Sequence, residues 1–245
     1  MTRRHEGRGV LISGGTSGIG LAAARRFAEE GAQVWIMGSR EETLARALGE
    51  VAATGGSCCD VADEQAVENA VARARAALGA IDVAFVNAGI DGEGKGVLDL
   101  SAGHFRRVLD VNVVGAFLVA RAAARRMPRG GAIVVNASVN GVRAEAGFAD
   151  YNASKAAAIL LAQTMALDLA DRGIAVTAIC PGYVPTRMTK PHLDDPKLRN
   201  EILAAIPAGR LGTPEEVAAI VSFLATPEAG YMTGSRIGID GGRGV

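Results

Sequence analysis

The chain has 245 residues, a length at which one large α/β domain can bury a sizeable core without splitting. Hydrophobic residues make up 49% and charged residues 21%, which excludes a disordered chain; 26 Lys plus Arg cancel 26 Asp plus Glu, which removes the long-range field that recruits nucleic acid or an anionic membrane. The basic start, Arg3-Arg4-His5-Glu6, leads only into the short apolar run Val10-Leu11-Ile12, far below a membrane span of about 20 residues, so a cytoplasmic protein is expected.

Short Val/Ile-rich runs alternate with longer stretches of helical periodicity, the pattern of repeated βαβ units. Strands are predicted at 9–13, 33–37, 55–59, 82–86, 131–136, 174–179 and 236–239, with helices at 18–31, 41–53, 63–78, 101–127, 150–172 and 214–225. The strands read as continuous apolar runs, so both faces of the sheet must be covered. The expectation is a single-domain Rossmann-type doubly wound parallel sheet of about seven strands over residues 1–245, with no linker or repeat marking a second domain.

Directly after the first strand comes Ser13-Gly14-Gly15-Thr16-Ser17-Gly18-Ile19-Gly20, and then a helix. Glycines at 14, 18 and 20 permit a tight turn and close backbone approach, and the helix N-terminus offers free N–H groups to a pyrophosphate. The second strand ends Gly38-Ser39-Arg40 with no carboxylate for a ribose 2′-hydroxyl, so NADP(H) is favoured over NAD(H). Trp35 in that strand, and Cys58, Cys59 and Cys180, read as packing residues.

The fifth strand ends in Asn136-Ala137-Ser138, which puts Ser138 at the C-terminal edge of the sheet, where open α/β folds bind ligands. Tyr151 and Lys155 open the next long helix, and their spacing of four places phenol and ammonium on one helical face. After Cys180 the rhythm breaks: five prolines fall between 181 and 207, with one helix expected near 196–206. That excursion is read as a substrate lid over 183–207, and Asp194-Asp195 as its solvated tip. His5, His104 and His192 share no ligand spacing and read as surface or helix residues, so no metal is expected.

Taken together, these motifs make the chain resemble the short-chain dehydrogenase/reductase family along nearly its whole length. The cofactor loop matches Ser13 to Gly20, with Ser13 where the family often has Thr, and Asp60-Val61 matches its adenine-side pair. Asn87-Ala88-Gly89 follows the fourth strand, although Val86 replaces a common Asn and puts one strand-end hydrogen bond in question. Pro181-Gly182 with Val184, Thr186 and Met188 matches the segment over the nicotinamide, and Asp240-Gly241-Gly242 matches the C-terminal signature.

The resemblance implies a hydride transfer between a secondary alcohol or ketone and NAD(P)(H), with Asn112, Ser138, Tyr151 and Lys155 as the catalytic set. Tyr151 would be the proton donor or acceptor, Ser138 would hold the substrate oxygen, Lys155 would bind the ribose, and Asn112 would hold a water. A free tyrosine titrates near 10, so use as a base near neutral pH calls for a shift of roughly three units, for which Lys155 is the expected source. Ser138, Asn140, Tyr151 and Gly182 are the expected substrate contacts, with Glu145 and Phe148 as further side chains in that region.

The lid segment Tyr183 to Lys190, together with Gly209 to Glu216, looks like the generic reductase branch that includes 3-oxoacyl-carrier-protein reductases. Arg129 and Arg172 would then grip an acyl carrier protein; a general reductase for small ketones is the other substrate reading. A non-catalytic dinucleotide sensor is the alternative of another class. The Ala-rich runs at 122–124 and 156–158 allow close helix approach, and by resemblance a homotetramer is expected.

Overall fold

The computed structural model describes residues 3–245. Seven parallel strands run in the order 3-2-1-4-5-6-7: β1 Gly9–Ser13, β2 Gln33–Gly38, β3 Gly55–Cys58, β4 Val83–Val86, β5 Ala132–Asn136, β6 Ala175–Pro181 and β7 Arg236–Ile239. The chain moves outward from β1 to β3, then returns to lay β4 on the other side of β1. That reversal opens a crevice at the C-terminal ends of β1 and β4, the ligand site of open α/β sheets.

Both faces are covered, as the continuous apolar strands require. On one face Leu11, Ala84, Ile133 and Val176 pack against α3 (Glu64–Leu78), α5 (Gly115–Arg126) and α6 (Ala149–Asp168). On the other, Val10, Ile12, Phe85, Val134 and Ile179 meet α1 (Gly18–Glu29) and α9 (Pro214–Leu224). The alternation of successive strand residues between the two sets is the period-2 geometry of a pleated strand. Ala122, Ala123 and Ala124 lie in the chain's own core, so that run is spent inside the protomer. No helix among the described residues is long and apolar enough to cross a membrane.

The helix predicted over 101–127 is continuous in space but not uniform. It comprises α4 (Ala102–Leu109), a π turn over Asp110–Val114 and then α5. The extra residue in a π turn rotates the helix face and commonly marks a functional position; here it carries Asn112. The remaining helices are α2 (Glu41–Glu50), α7 (Lys190–Asp194) and α8 (Pro196–Ala204). Two short helices therefore stand where the lid was expected to hold one; Asp195 caps the second by accepting from Lys197 N–H at 2.8 Å and Leu198 N–H at 3.2 Å. Asp194 pairs with Lys190 at 2.6 Å.

Candidate active site

The loop after β1 is built by its glycines. Gly14 has φ +64°, and a Cβ there would stand 2.8 Å from Ala88 Cα; a Cβ on Gly20 would stand 2.2 Å from the Gly14 carbonyl oxygen. Neither position admits a side chain, so loop, helix and the β4 end can close on one another. Ser13 does not face the crevice as expected: it is fully buried, and its hydroxyl accepts from the N–H groups of Asn87 at 3.0 Å and Ala88 at 3.2 Å. Asn87 returns bonds to the carbonyls of Ser13 (3.2 Å) and Gly14 (3.0 Å), so the loop and the β4 end are riveted together without the Asn that Val86 replaces.

Above this joint lies a cleft of about 430 Å³. Gly14, Thr16, Ser17, Gly18 and Ile19 line one end, Ser39, Asp60 and Val61 another, and Asn87, Ala88 and Gly89 the floor. Pro181, Gly182, Val184, Thr186 and Met188 form its rim. At the start of α1, Ser17 makes no side-chain cap and the first turn holds no acidic residue. The N–H groups and positive dipole end there are thus left for an anion, which fits the pyrophosphate of a dinucleotide. Gly20 packs beneath the cleft, and Arg40 lies outside its lining as the exposed residue preceding α2; both were expected to touch cofactor. Asp60 accepts from Ala62 N–H and pairs with Arg107 at 3.2 Å, which together hold its carboxyl below the usual range.

Ser138, Tyr151 and Lys155 converge at the inner end of the cleft. Ser138 caps a short 3₁₀ turn at the β5 end and accepts from Asn140 N–H at 3.1 Å. Tyr151 and Lys155 project from the first turns of α6 on one face, as their spacing predicts. Lys155 is 4% exposed, and its ammonium donates to the Asn136 carbonyl at 2.9 Å and stands 5.5 Å from the centre of the Tyr151 ring. Burial lowers its pKa to about 8, against the opposing effects of Cys180 and Asp91.

The expected downward shift of Tyr151 is not found in the protein alone. Enclosure raises its pKa, the Ser138 hydroxyl opposes that rise, and the charges of Asp91 and Glu145 add to it. The ammonium that was expected to lower it is engaged at Asn136. The resting phenol is therefore held protonated, the state of an acid ready to donate.

The Asn112 side chain bonds to two neighbouring segments. Its Oδ1 accepts from Ile90 N–H at 2.8 Å, and its Nδ2 donates to the Ile90 carbonyl and the Ser154 hydroxyl, both at 3.0 Å. This side chain ties the β4 loop to α6 with both amide protons engaged, so a water held by Asn112 would be bound through an acceptor lone pair.

Next to the cleft, a smaller chamber of about 60 Å³ opens beside Ser138 and Tyr151, with Asn140 and Gly182 in its wall as expected. Glu145 and Phe148 line it too. Asp91, Tyr183 and His192 join them from segments that the sequence did not orient. Asp150, also missed, is fully buried and accepts from the N–H groups of Tyr151 (2.8 Å) and Glu93 (3.0 Å), with His104 Nδ1 at 3.0 Å. Its place in the first turn of α6 was the available signal.

Arg129 and Arg172 stand elsewhere. They precede β5 and β6, at the opposite edge of the sheet from Ser138, and donate to the carbonyls of Asp171 (2.5 Å) and Met127 (2.9 Å). His5 is not a surface residue but fully buried, and Cys58 is exposed rather than a core filler. Cys59 and Cys180 are buried, as is Trp35, whose indole donates to Ser57 at 3.2 Å.

Comparison with known proteins agrees with this architecture. A family profile described as enoyl-(acyl carrier protein) reductase matches residues 14–243. The 3-oxoacyl-[acyl-carrier-protein] reductase MabA of Mycobacterium tuberculosis (strain ATCC 25618 / H37Rv) is 37% identical over 240 residues, covering 97% of this chain and 93% of that protein. A short-chain type dehydrogenase/reductase from Mycobacterium marinum superposes with a TM-score of 0.92 at 36% identity, over 98% of this chain and 97% of that one. An NAD⁺-bound xylitol dehydrogenase gives a TM-score of 0.93, also at 36% identity, over 98% and 100% of the two chains. The chain belongs to the short-chain dehydrogenase/reductase family and is an NAD(P)-dependent oxidoreductase acting on the CH–OH group.

Proposed function

We propose that the chain interconverts a secondary alcohol and a ketone with Tyr151 as the proton-transfer residue, and that it prefers NADP(H) to NAD(H). The observation that carries this reading is the convergence of Tyr151, Ser138 and Lys155 at the inner end of a cleft whose far end is the uncapped start of α1.

Thr16 to Ile19 would hold the pyrophosphate, Ser39 with Asp60 and Val61 the adenosine end, and Asn87 to Gly89 with Lys155 and the 181–188 rim the nicotinamide end. When bound there, the nicotinamide supplies or accepts the hydride. Ser138 donates a hydrogen bond to the substrate oxygen and fixes it against Tyr151. In reduction the Tyr151 phenol gives its proton to that oxygen as negative charge develops on it. In oxidation Tyr151 takes the proton back, a step aided by any positive charge near its ring, since enclosure and the two carboxylates work against the phenolate.

The case for NADP(H) is the absence of an acidic residue at the β2 end, where Gly38 and Ser39 line the cleft and Arg40 stands just outside. The NAD⁺ in the xylitol dehydrogenase structure speaks for the other cofactor, so a ketone panel run with NADPH and NADH decides the preference. An acyl-carrier substrate, as in the name of MabA, draws no support from Arg129 and Arg172, because their guanidinium groups are turned to backbone carbonyls at the far sheet edge.

Replacing Tyr151 by Phe removes one oxygen and the transferable proton. The expected result is a loss of kcat of about 10²–10⁴-fold, with cofactor affinity, measured by fluorescence titration, nearly unchanged. Near-normal turnover in that variant refutes the assignment. We further propose a cytoplasmic homotetramer. Three free cysteines are consistent with a reducing compartment, and α5 and α6 leave Phe117, Leu160 and Leu167 exposed, the last two at 64% and 79%. Light scattering at micromolar concentration should give four times the chain mass of 25.1 kDa.

A further inference from the structure

The chamber beside Tyr151 has a chemistry of its own. Asp91, at the start of the β4 loop, faces His192 of α7, with Oδ2 and Nε2 3.0 Å apart. Across the chamber, Glu145 accepts from the Tyr183 hydroxyl at 2.9 Å and from the Asn140 amide at 3.2 Å, and it pairs with Arg243 at 3.3 Å. Arg243 also stacks on the Tyr183 ring, 4.9 Å from its centre. These groups come from the loop after β4, the segment before α6, the lid and the C-terminus, yet each finds a partner of the opposite kind.

Three consequences follow from this pairing. First, no charged group of the wall lacks a partner: an anionic substrate meets the carboxylates of Asp91 and Glu145, and a cationic one finds Asp91 bonded to His192 and Glu145 already paired with Arg243 from outside the chamber. Second, the wall is rich in groups that have bonded one another and retain lone pairs or protons, the setting in which a hydroxyl, donor and acceptor at once, is matched and a bare methylene is not. Third, the chamber is small, about 60 Å³, and open on one side, so the part of the substrate that it holds is short. Phe148, edge-on to His192 with ring centres 5.6 Å apart, supplies an apolar surface for C–H groups.

We infer that the substrate is a short, uncharged, hydroxyl-rich ketone or the polyol it is reduced to. Hydroxyls beyond the reacting one are held by the Asp91–His192 pair on one side and by Asn140, Glu145 and Tyr183 on the other. The inference rests on the reading of Ser138 and Tyr151 as the reacting edge. In the oxidative direction the carbinol C–H bond breaks and its hydride, with both electrons, passes to the oxidised nicotinamide. The O–H proton passes to Tyr151, whose own proton has first left for solvent, and the C=O bond forms; NAD(P)⁺ becomes NAD(P)H with release of one proton.

The experiment uses the whole enzyme at saturating NADP⁺ or NAD⁺, and the reduced forms for the reverse reaction. The pentitol and hexitol stereoisomers and their ketoses are compared with 2-pentanol and 2-pentanone, and with the acetoacetyl thioester of N-acetylcysteamine as a carrier-free acyl substrate. At least one polyol or ketose should exceed the pentyl pair and the thioester in kcat/KM by about tenfold or more, because a site built to bind hydroxyls rejects analogues that lack them. In Tyr183→Phe and Asp91→Asn that ratio should fall by about tenfold, with the change in KM rather than kcat. Turnover of 2-pentanone or the thioester at equal or higher kcat/KM overturns the inference and leaves the alcohol–ketone reading standing. Turnover of none of these compounds overturns both.

Discussion

Lys155 is the residue whose state most constrains the chemistry. It is nearly fully enclosed, yet its one hydrogen-bond acceptor is a neutral carbonyl rather than a carboxylate, so burial dominates and the pKa falls to about 8. For a base, a lowered pKa means that the charge is present below that value and lost as pH rises through it. The ammonium is what would bind the ribose hydroxyls, so kcat/KM for the cofactor should decline as pH rises through about 8, since that quantity reports groups of the free enzyme. In Lys155→Met the value should be low throughout and that limb should vanish. A wild-type profile that stays flat from pH 7 to 9.5 contradicts this. Tyr151 shows the complementary effect: its spacing to Lys155 was legible in the sequence, but the sign of its shift was not. That sign is set first by the enclosure of the phenol and only then by the charges of Asp91 and Glu145, which the chain brings up from other segments.

At the scale of elements, the alternation of apolar runs and helical stretches was sufficient to read the seven strands, their parallel arrangement and the glycine loop, because each is set by local periodicity or by backbone sterics. The substrate chamber was not readable in the same way. Asp91 and His192 are 101 residues apart, and only the packing of α7 over the β4 loop makes them neighbours. The π turn at Asp110–Val114 was hidden for a related reason: its side chains keep a helical pattern, and the inserted residue appears only in the backbone bonding. Its purpose is visible in Asn112, 2% exposed, which makes three bonds that join the β4 loop to α6 and so support Tyr151 and Lys155 from beneath. Asn112→Ala strips partners from the part-buried Ile90 N–H and carbonyl and from the buried Ser154 hydroxyl, at a cost of about 1–3 kcal/mol. In a chain of this size the melting temperature should fall by several degrees. Calorimetry checks this, and an unchanged melting temperature would remove Asn112 from the supporting role.

For the molecule as a whole, the N-terminal segment is fastened to the helical layer opposite the chamber by a polar network with no link to the reaction. His5 Nε2 lies 3.1 Å from the Ser222 carbonyl, and its Nδ1 lies 3.3 Å from Arg8 Nη1, which fits a neutral ring that donates at one nitrogen and accepts at the other. Glu30, 3% exposed, accepts from the Ser222 hydroxyl and from Arg26 at 2.5 Å. Burial, then the charge of Arg8, lowers the pKa of His5. Burial opposes ionisation of Glu30, but Ser222 and Arg26 outweigh it, so its pKa is also lowered. A base with a lowered folded pKa binds a proton more readily when unfolded, so its cost begins as pH drops below about 6.5. An acid with a lowered folded pKa gives stability above about 4.5 that is lost on further acidification. Both groups therefore weaken the fold in acid, His5 first, each by at most about 1.4 kcal/mol per pH unit. The melting temperature should fall between pH 7 and pH 5, and His5→Gln, which keeps a donor for the Ser222 carbonyl but cannot titrate, should show a shallower fall over the same range. Parallel curves for the two proteins would assign the acid sensitivity to groups other than His5.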